Sequence, residues 1–154
     1  MKKLLLILTL SASSFAFASA TTIDPVSQRT LKSFKTDFST ANDVKWVTIE
    51  GQDLYQVTFK YNNEEIIAVY NPEGELLSTA RYIVKEALPI MVTTELNKQY
   101  GNYILRTVIE RTTNGETSYF VTLESEKSSV VVNAKPSGNI SVYKKLAKPV
   151  FEKQ

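Results

Sequence analysis

The stretch Tyr55-Gln56-Val57-Thr58-Phe59 decides the fold, because a second copy, Tyr119-Phe120-Val121-Thr122-Leu123, follows 64 residues later. After each copy the chain passes a polar turn, a second apolar run and a closing turn. The closing turns are Asn71-Pro72-Glu73-Gly74 and Lys135-Pro136-Ser137-Gly138, again 64 residues apart. Alternating apolar and polar residues predict strands with one buried face, and Pro followed by Gly predicts a tight turn. The sequence therefore predicts two similar units of antiparallel strands.

Each unit also has a predicted helix ahead of its strands. The first is expected to start at Asp24-Pro25, since Asp suits the N-cap and Pro the first helical position. Its apolar stripe includes Phe34 and Phe38. The second is expected to open at Leu88-Pro89, with apolar residues at steps of four. The strands are expected at 44–50, 54–61, 65–70 and 75–83, and at 103–111, 118–124, 129–134 and 139–146.

These elements predict one α+β fold. We expect two tandem α-β4 repeats, whose antiparallel sheet of about eight strands carries both helices on one face. The expected divisions are a signal peptide at 1–20, a first repeat at 21–83 and a second repeat at 84–154. The offset between the helices is 62 rather than 64, so two extra residues should lie in the second unit's first hairpin, near Asn114. Loops tolerate such a change in length.

The N-terminus has the composition of a secretory signal peptide. Lys2 and Lys3 precede an apolar core, Leu4 to Leu10, and Ala18-Ser19-Ala20 is a site for cleavage after Ala20. The alternative, an N-terminal membrane anchor, is disfavoured because the apolar stretch is short and interrupted by serines. The chain has no Cys, which excludes a lipid-anchored lipoprotein. We therefore expect a periplasmic or secreted protein with no membrane span after cleavage.

Composition excludes several classes of function. The net charge of +2 comes from two lysines of the signal peptide, so the mature chain is formally neutral and nucleic acid is not an expected partner. The absence of His and Cys removes the usual catalytic triads, thiol redox chemistry and common zinc sites. The nearest carboxylate pairs, Glu64-Glu65 and Glu73 with Glu75, flank turns and are expected to be solvated. No cofactor, metal site or enzymatic activity is expected.

The apolar spacing resembles a known family. The run Phe34-x3-Phe38-x2-Ala41-x2-Val44-x-Trp46, then Tyr55-x-Val57-x-Phe59 and Tyr70-x3-Gly74-Glu75-Leu76, resembles the β-lactamase-inhibitor-like, PepSY-like family of exported bacterial proteins. Val108 of the second unit departs from this pattern, since the first unit has Trp46 there. The resemblance implies a periplasmic tandem α-β4 repeat. Related architectures inhibit β-lactamases or proteases through the exposed sheet face, but the motif consists of core positions and assigns no inhibitory residue.

The sheet face away from the helices is the candidate binding face. Which side Trp46 takes stays open: it packs beside the helix, or it faces outward as a contact residue. Phe120 is notable because it falls on the polar side of its strand, where the first unit has Gln56. With Trp46 inward, the outward residues are expected to include Lys45, Gln56, Thr79, Arg81, Glu124 and Lys145. The candidate binding residues are Val47, Ile49, Thr58, Lys60, Phe120, Thr122 and Tyr143.

Two functions fit these observations. The first is a non-catalytic module that binds another exported or envelope protein through this face, in the form of an enzyme inhibitor if the resemblance extends to function. The second is a small-ligand carrier or sensor with an apolar pocket between helices and sheet, which would use some of the 8 Tyr and 7 Phe. A loop or the C-terminal tail could instead cover the face. The partner and the oligomeric state stay open.

Overall fold

One antiparallel sheet with two helices makes up the part of the chain that the structure describes. The structure is a computed structural model that describes residues 26–146. The helices are α1 (Gln28–Asp37) and α2 (Ile90–Tyr100), with a single 3-10 turn at Lys85–Ala87 before α2. The strands are β1 (Asn42–Ile49), β2 (Leu54–Tyr61), β3 (Glu64–Tyr70), β4 (Leu76–Ile83), β5 (Ile104–Thr113), β6 (Glu116–Glu124), β7 (Ser129–Ala134) and β8 (Ile140–Leu146). Their order in the sheet is their order in the chain.

The predicted α+β fold is confirmed: each helix is followed by four strands, and the eight strands form one sheet. The predicted signal peptide at 1–20 and helix start at Asp24-Pro25 lie outside the described residues. The described helix α1 begins at Gln28 and is capped by Ser27, whose Oγ accepts a hydrogen bond from the Thr30 amide at 3.1 Å. The division into repeats at residues 83 and 84 stays a prediction.

Both helices lie on the same face of the sheet. Residues directly opposite each other on paired strands share a face, so the register can be followed across the molecule. The row on the helix-covered side consists of Trp46, Val57, Ala68, Thr79, Thr112 and Thr117. Phe34 of α1 packs on the β1–β3 part of this side, and Val92 and Leu96 of α2 pack near Val121. The predicted placement of the helices is correct.

The core beneath α1 is aromatic. The Phe34 ring meets Trp46 at 5.2 Å and Phe59 at 5.0 Å between ring centres, both edge to face. Trp46 therefore packs beside the helix, which decides the alternative left open by the sequence. Tyr70 is fully buried, and its hydroxyl donates to Asp37 Oδ2 at 2.9 Å, tying β3 to the end of α1. Burial, together with this hydrogen bond, raises the pKa of Tyr70.

The core beneath α2 is mainly aliphatic. Val92 and Leu96 pack with the buried residues Val121 and Val132 of the sheet. Val108 lies opposite Val121, as Trp46 lies opposite Val57. In the second half, branched aliphatic side chains therefore occupy the place that the indole of Trp46 occupies in the first half. The antiparallel pairing of the strands is the same in both halves.

The turns after β3 and β7 dock against the helices. Ser27 Oγ donates to the Pro72 carbonyl at 2.6 Å, and Thr30 Oγ1 donates to the Asn71 carbonyl at 2.8 Å. Gly74 has φ +87°, and a Cβ there would lie 2.6 Å from Ser33 Oγ. Gly138 has φ +88°, and its Cβ would lie 3.1 Å from the Met91 carbonyl oxygen of α2. Glycine is thus needed at both turns for conformation and for space.

The extra residues of the second unit lengthen strands rather than a loop. The turn between β5 and β6 is Asn114-Gly115, with φ of 50° and 78°, which fits the two-residue hairpin turn that such a pair favours. The first hairpin has a longer turn, between the paired residues Ile49 and Leu54. The predicted position near Asn114 is correct, but the expected reason, a longer loop, is wrong. Consequently β5 reaches Thr113 and continues the central part of the sheet.

Replacing Gly74 with Ala should lower the free energy of unfolding by about 1–3 kcal/mol more than replacing Gly51, because Gly74 lies against α1 and Gly51 contacts no helix. Gly51 has φ +75° but nothing within 4 Å of its missing Cβ, so Gly51→Ala reports the backbone strain alone. Urea denaturation followed by Trp46 fluorescence measures both variants. Equal losses would mean that the turn does not dock on α1.

Candidate binding face

We call the side of the sheet opposite the helices the open face. Both helices of the described residues pack on the other side, and the residues of the open face alternate along each strand with those of the helix-covered side. Two of its rows cross the middle of the sheet. The first row is Lys45, Thr58, Ile67, Ala80, Arg111 and Ser118. The second is Tyr82, Ile109, Phe120, Asn133 and Ser141.

Three side chains meet in the second half of the open face. The Arg111 guanidinium carbon lies 4.4 Å from the centre of the Phe120 ring, a cation–π distance. Phe120 meets Tyr143 edge to face, with 5.0 Å between ring centres. Tyr143 can reach across β7 because the pairing of β7 with β8 shifts register there, Val132 facing Val142 and Val131 facing Lys144. We call Arg111, Phe120 and Tyr143 the arginine–aromatic cluster.

Arg111 is a partly buried cation for which residues 26–146 supply no counter-ion. It forms no ion pair within the described residues, and its Nε is buried without a hydrogen-bond partner. Thr113 Oγ1, two residues along the same strand face, is also buried and without a partner. Burial lowers the pKa of Arg111, since desolvation disfavours the charged form. The guanidinium is held by its ring contact rather than by an anion.

The ion pairs of the open face lie towards the margins of the sheet, away from Arg111. Lys60 meets Asp43 at 2.8 Å, Arg106 meets Glu124 at 2.5 Å, and Lys135 meets Glu116 at 3.6 Å. These carboxylates already have basic partners. A guanidinium held at the centre of the face therefore differs in chemistry from the paired cations around it.

All seven predicted binding residues lie on the open face, but the structure brings them together only in part. Val47, Ile49, Thr58 and Lys60 belong to β1 and β2, and Phe120, Thr122 and Tyr143 belong to β6 and β8. Five strand spacings, about 24 Å, separate Val47 from Phe120. Val47 is 50% exposed and Tyr143 is 43% exposed, so each group presents apolar surface. They form two separate parts of one face.

Three other expected positions are wrong. Thr79 and Arg81 lie on the helix-covered side, because they pair with Ala68 and Ile66. Arg81 is accommodated there by Glu64 at 2.7 Å and Glu110 at 2.9 Å, whose hydrogen bonds raise its pKa. Lys145 faces Val130, also on the helix side, because the bulge at Tyr143 reverses the alternation of β8.

Arg111 was not among the predicted binding residues, because its strand was predicted to end there. That strand continues to Thr113, so Arg111 lies inside the sheet, opposite Ala80 and Ser118. The Asn114-Gly115 pair is the signal that could have placed it, since this pair favours a two-residue hairpin turn and thereby fixes the register.

A cleft on the helix-covered side is the feature nearest to the alternative ligand pocket. It has a volume of about 140 Å³ and is lined by Phe38, Tyr61 and Ile66 together with Arg81 and Glu110. Ligand pockets typically have roughly 300–1,000 Å³, and the charged groups of this cleft already pair with each other. The cleft therefore gives little support to a carrier of apolar ligands.

Residues 26–146 contain neither a cluster of metal-ligating side chains nor a helix that could span a membrane. No group of three or more His, Cys, Asp or Glu side chains in this range could hold a metal ion. Within the same range, neither helix has the length and apolar character needed to cross a membrane.

Neither a protein-family model nor a curated protein sequence matches the chain. Solved structures do share its fold. A BLIP-like protein from Bacteroides fragilis NCTC 9343 is 19% identical with a TM-score of 0.68, and the match covers 84% of this chain and 93% of that one. The chain has a BLIP-like fold. This confirms the fold expected from the β-lactamase-inhibitor-like resemblance.

Two more solved structures share the fold of this chain. A DUF2874 family protein from Bacteroides ovatus ATCC 8483 is 17% identical with a TM-score of 0.69, over 80% of this chain and 89% of that one. A protein from Bacteroides eggerthii DSM 20697, provisionally described as periplasmic, is 12% identical with a TM-score of 0.68 over the same shares of the two chains. At these sequence identities the similarity shows the fold alone. The role of the open face is therefore inferred from the residues of this chain.

Replacing Arg111 with Met should leave the free energy of unfolding within about 1 kcal/mol of the wild type or raise it, because a desolvated charge without an anion is removed while the stem is kept. The control is Arg81→Met, which removes the cation that pairs with two carboxylates. It should lower the free energy of unfolding by up to about 1 kcal/mol. Urea denaturation measures both. A loss above about 2 kcal/mol for Arg111→Met would contradict an unpaired Arg111.

Proposed function

We propose that this BLIP-fold chain is a non-catalytic binding module of the periplasm or of the secreted fraction, and that it holds another exported protein on its open face. Inhibition of an exported enzyme is the form of binding that the sequence resemblance implies. One observation carries the proposal: Arg111, Phe120 and Tyr143 meet on a sheet face that neither described helix covers.

The composition of the arginine–aromatic cluster supports a protein partner. Tyr, Trp and Arg dominate the energetics of protein–protein interfaces, since they combine a large contact area with polar groups. Phe120 is fixed between Arg111 and Tyr143, so little side-chain entropy remains to be lost on binding. The contact is therefore organised before a partner arrives.

The other half of the open face extends the proposed surface. Val47 and Ile49 add apolar area at the β1 edge, with Thr58 and Lys60 beside them on β2. Their separation from Phe120, about 24 Å, suits a single interface of standard size, which buries roughly 800 Å² on each partner. A folded protein domain can span both parts at once.

The chemistry of the chain supports binding rather than catalysis. It contains no His and no Cys. In the carboxylate pair Glu64-Glu65, the side chain of Glu64 forms an ion pair with Arg81. The predicted signal peptide supports export, as does the provisional periplasmic description of one structural neighbour. Nothing in the cleft beneath the helices favours a second function.

Changing Phe120 and Tyr143 together to Glu should abolish capture of the partner, because two charges would replace the central contact. The protein purified from the exported fraction is immobilised and exposed to envelope proteins of its native host. Bound proteins are identified by mass spectrometry against the wild type.

The matched control changes Ile90 and Met91 to Glu, which makes the same charge change at exposed apolar residues of α2, away from the open face. Circular dichroism and urea denaturation confirm that both variants fold. A partner lost by the first variant and retained by the second supports the proposal. Equal retention by both variants contradicts it.

A further inference from the structure

We infer that Arg111 is the receptor for a carboxylate of the partner, presented by an aspartate or glutamate side chain in an extended segment that lies across β4, β5 and β6. The inference deepens the proposed function and rests on it. It names the chemistry that the open face recognises: an acidic segment whose carboxylate lies between apolar neighbours.

The electrostatic state of Arg111 favours a carboxylate as its partner. Arg111 is partly desolvated in the free protein and makes no ion pair within residues 26–146. A charge taken out of water without a partner is unfavourable, and an arriving carboxylate relieves this without a further large desolvation of the arginine. The same carboxylate would gain little from Arg106, which is already bound to Glu124.

The side chains beside Arg111 leave room for a narrow charged group. The residues directly opposite Arg111 on its two neighbouring strands are Ala80 and Ser118, and both are small and buried. A short side chain on each flank leaves the guanidinium accessible from above the sheet. On the row of Phe120 the corresponding positions are larger, with Ile109 beside it. A narrow charged group therefore fits over Arg111, and larger apolar groups fit on its flanks.

The Arg111 guanidinium group is oriented by its contact with Phe120. The ring of Phe120 lies 4.4 Å from the guanidinium carbon and restricts the position of the guanidinium group. Arg111 Nε is buried, whereas its two terminal nitrogens make no hydrogen bond with another described residue and are not among the buried atoms. These two nitrogens can donate in parallel to the two oxygens of one carboxylate, the strongest common geometry for this pair.

The charges around the arginine–aromatic cluster are complementary to an acidic segment. Glu116 and Glu124 on this side of the sheet are held by Lys135 and Arg106. Lys144 lies opposite Val131 on β8 and forms no ion pair with another described residue. The uncompensated charge near the arginine–aromatic cluster is therefore positive, which attracts an acidic segment and disfavours a basic one.

The test uses short blocked peptides with one central glutamate flanked by valine and tyrosine, and a matched set with glutamine in its place. Fluorescence anisotropy measures the Kd of each for the exported protein. We expect the glutamate set to bind about tenfold more tightly than the glutamine set, since charge-assisted hydrogen bonds replace neutral ones. In Arg111→Gln this preference should vanish, and in Arg111→Lys it should shrink.

The control is Arg106→Gln, which makes the same charge change on the same strand and should keep the preference. An NMR titration adds a direct readout, because the Arg111 Nε–H resonance should shift on addition of the glutamate peptide and not of the glutamine peptide. Equal binding of the two sets by the wild type, or no binding of either up to millimolar concentration, would overturn the inference. Partner capture that needs Phe120 and Tyr143 but survives Arg111→Gln would also overturn it, while leaving the proposed function standing.

Discussion

The pairing of β4 with β5 is the constraint on which the rest of the structure depends. Side chains alternate with a period of two, so the register Ala80–Arg111 decides which residues of the second half face the helices. A slip of one residue at this join would turn Val121 away from α2 and Phe120 towards it. Two helices on one face and one continuous open face both follow from this single pairing.

The two cores meet the helices with different chemistry, and polar contacts lie between them. Phe34 and Trp46 fill the first core, and Val92 with its aliphatic neighbours fills the second. Arg81, Glu64 and Glu110 lie on the helix-covered side between these cores, where an ion-pair network can keep contact with water. The same side of the sheet is thus apolar under each helix and charged between them. The opposite side does not pack against the two helices, and it carries the arginine–aromatic cluster.

Periodicity predicted the elements well, because strong alternation and turn residues mark them. The strand at Leu54–Tyr61 and the inward Phe34 follow directly from such patterns. The faces of β4 and β8 could not be read in the same way. Arg81 faces the helix side, where it forms ion pairs with two carboxylates. Lys145 faces the same side because a bulge in β8 shifts the register. Neither an ion pair between distant residues nor a bulge changes the apolar periodicity of the sequence. The arginine–aromatic cluster was not predictable either, because it depends on contacts between three different strands.

The most direct test is a nuclear Overhauser spectrum of the exported protein with the Phe120 ring selectively labelled. The continuous register predicts contacts from this ring to the Tyr143 ring and to the Arg111 side chain, at the distances seen here. It predicts no contact from the ring to α2. Contacts from Phe120 to Val92 or Leu96 would show that β6 has the opposite orientation, and the open face with its arginine–aromatic cluster would not exist.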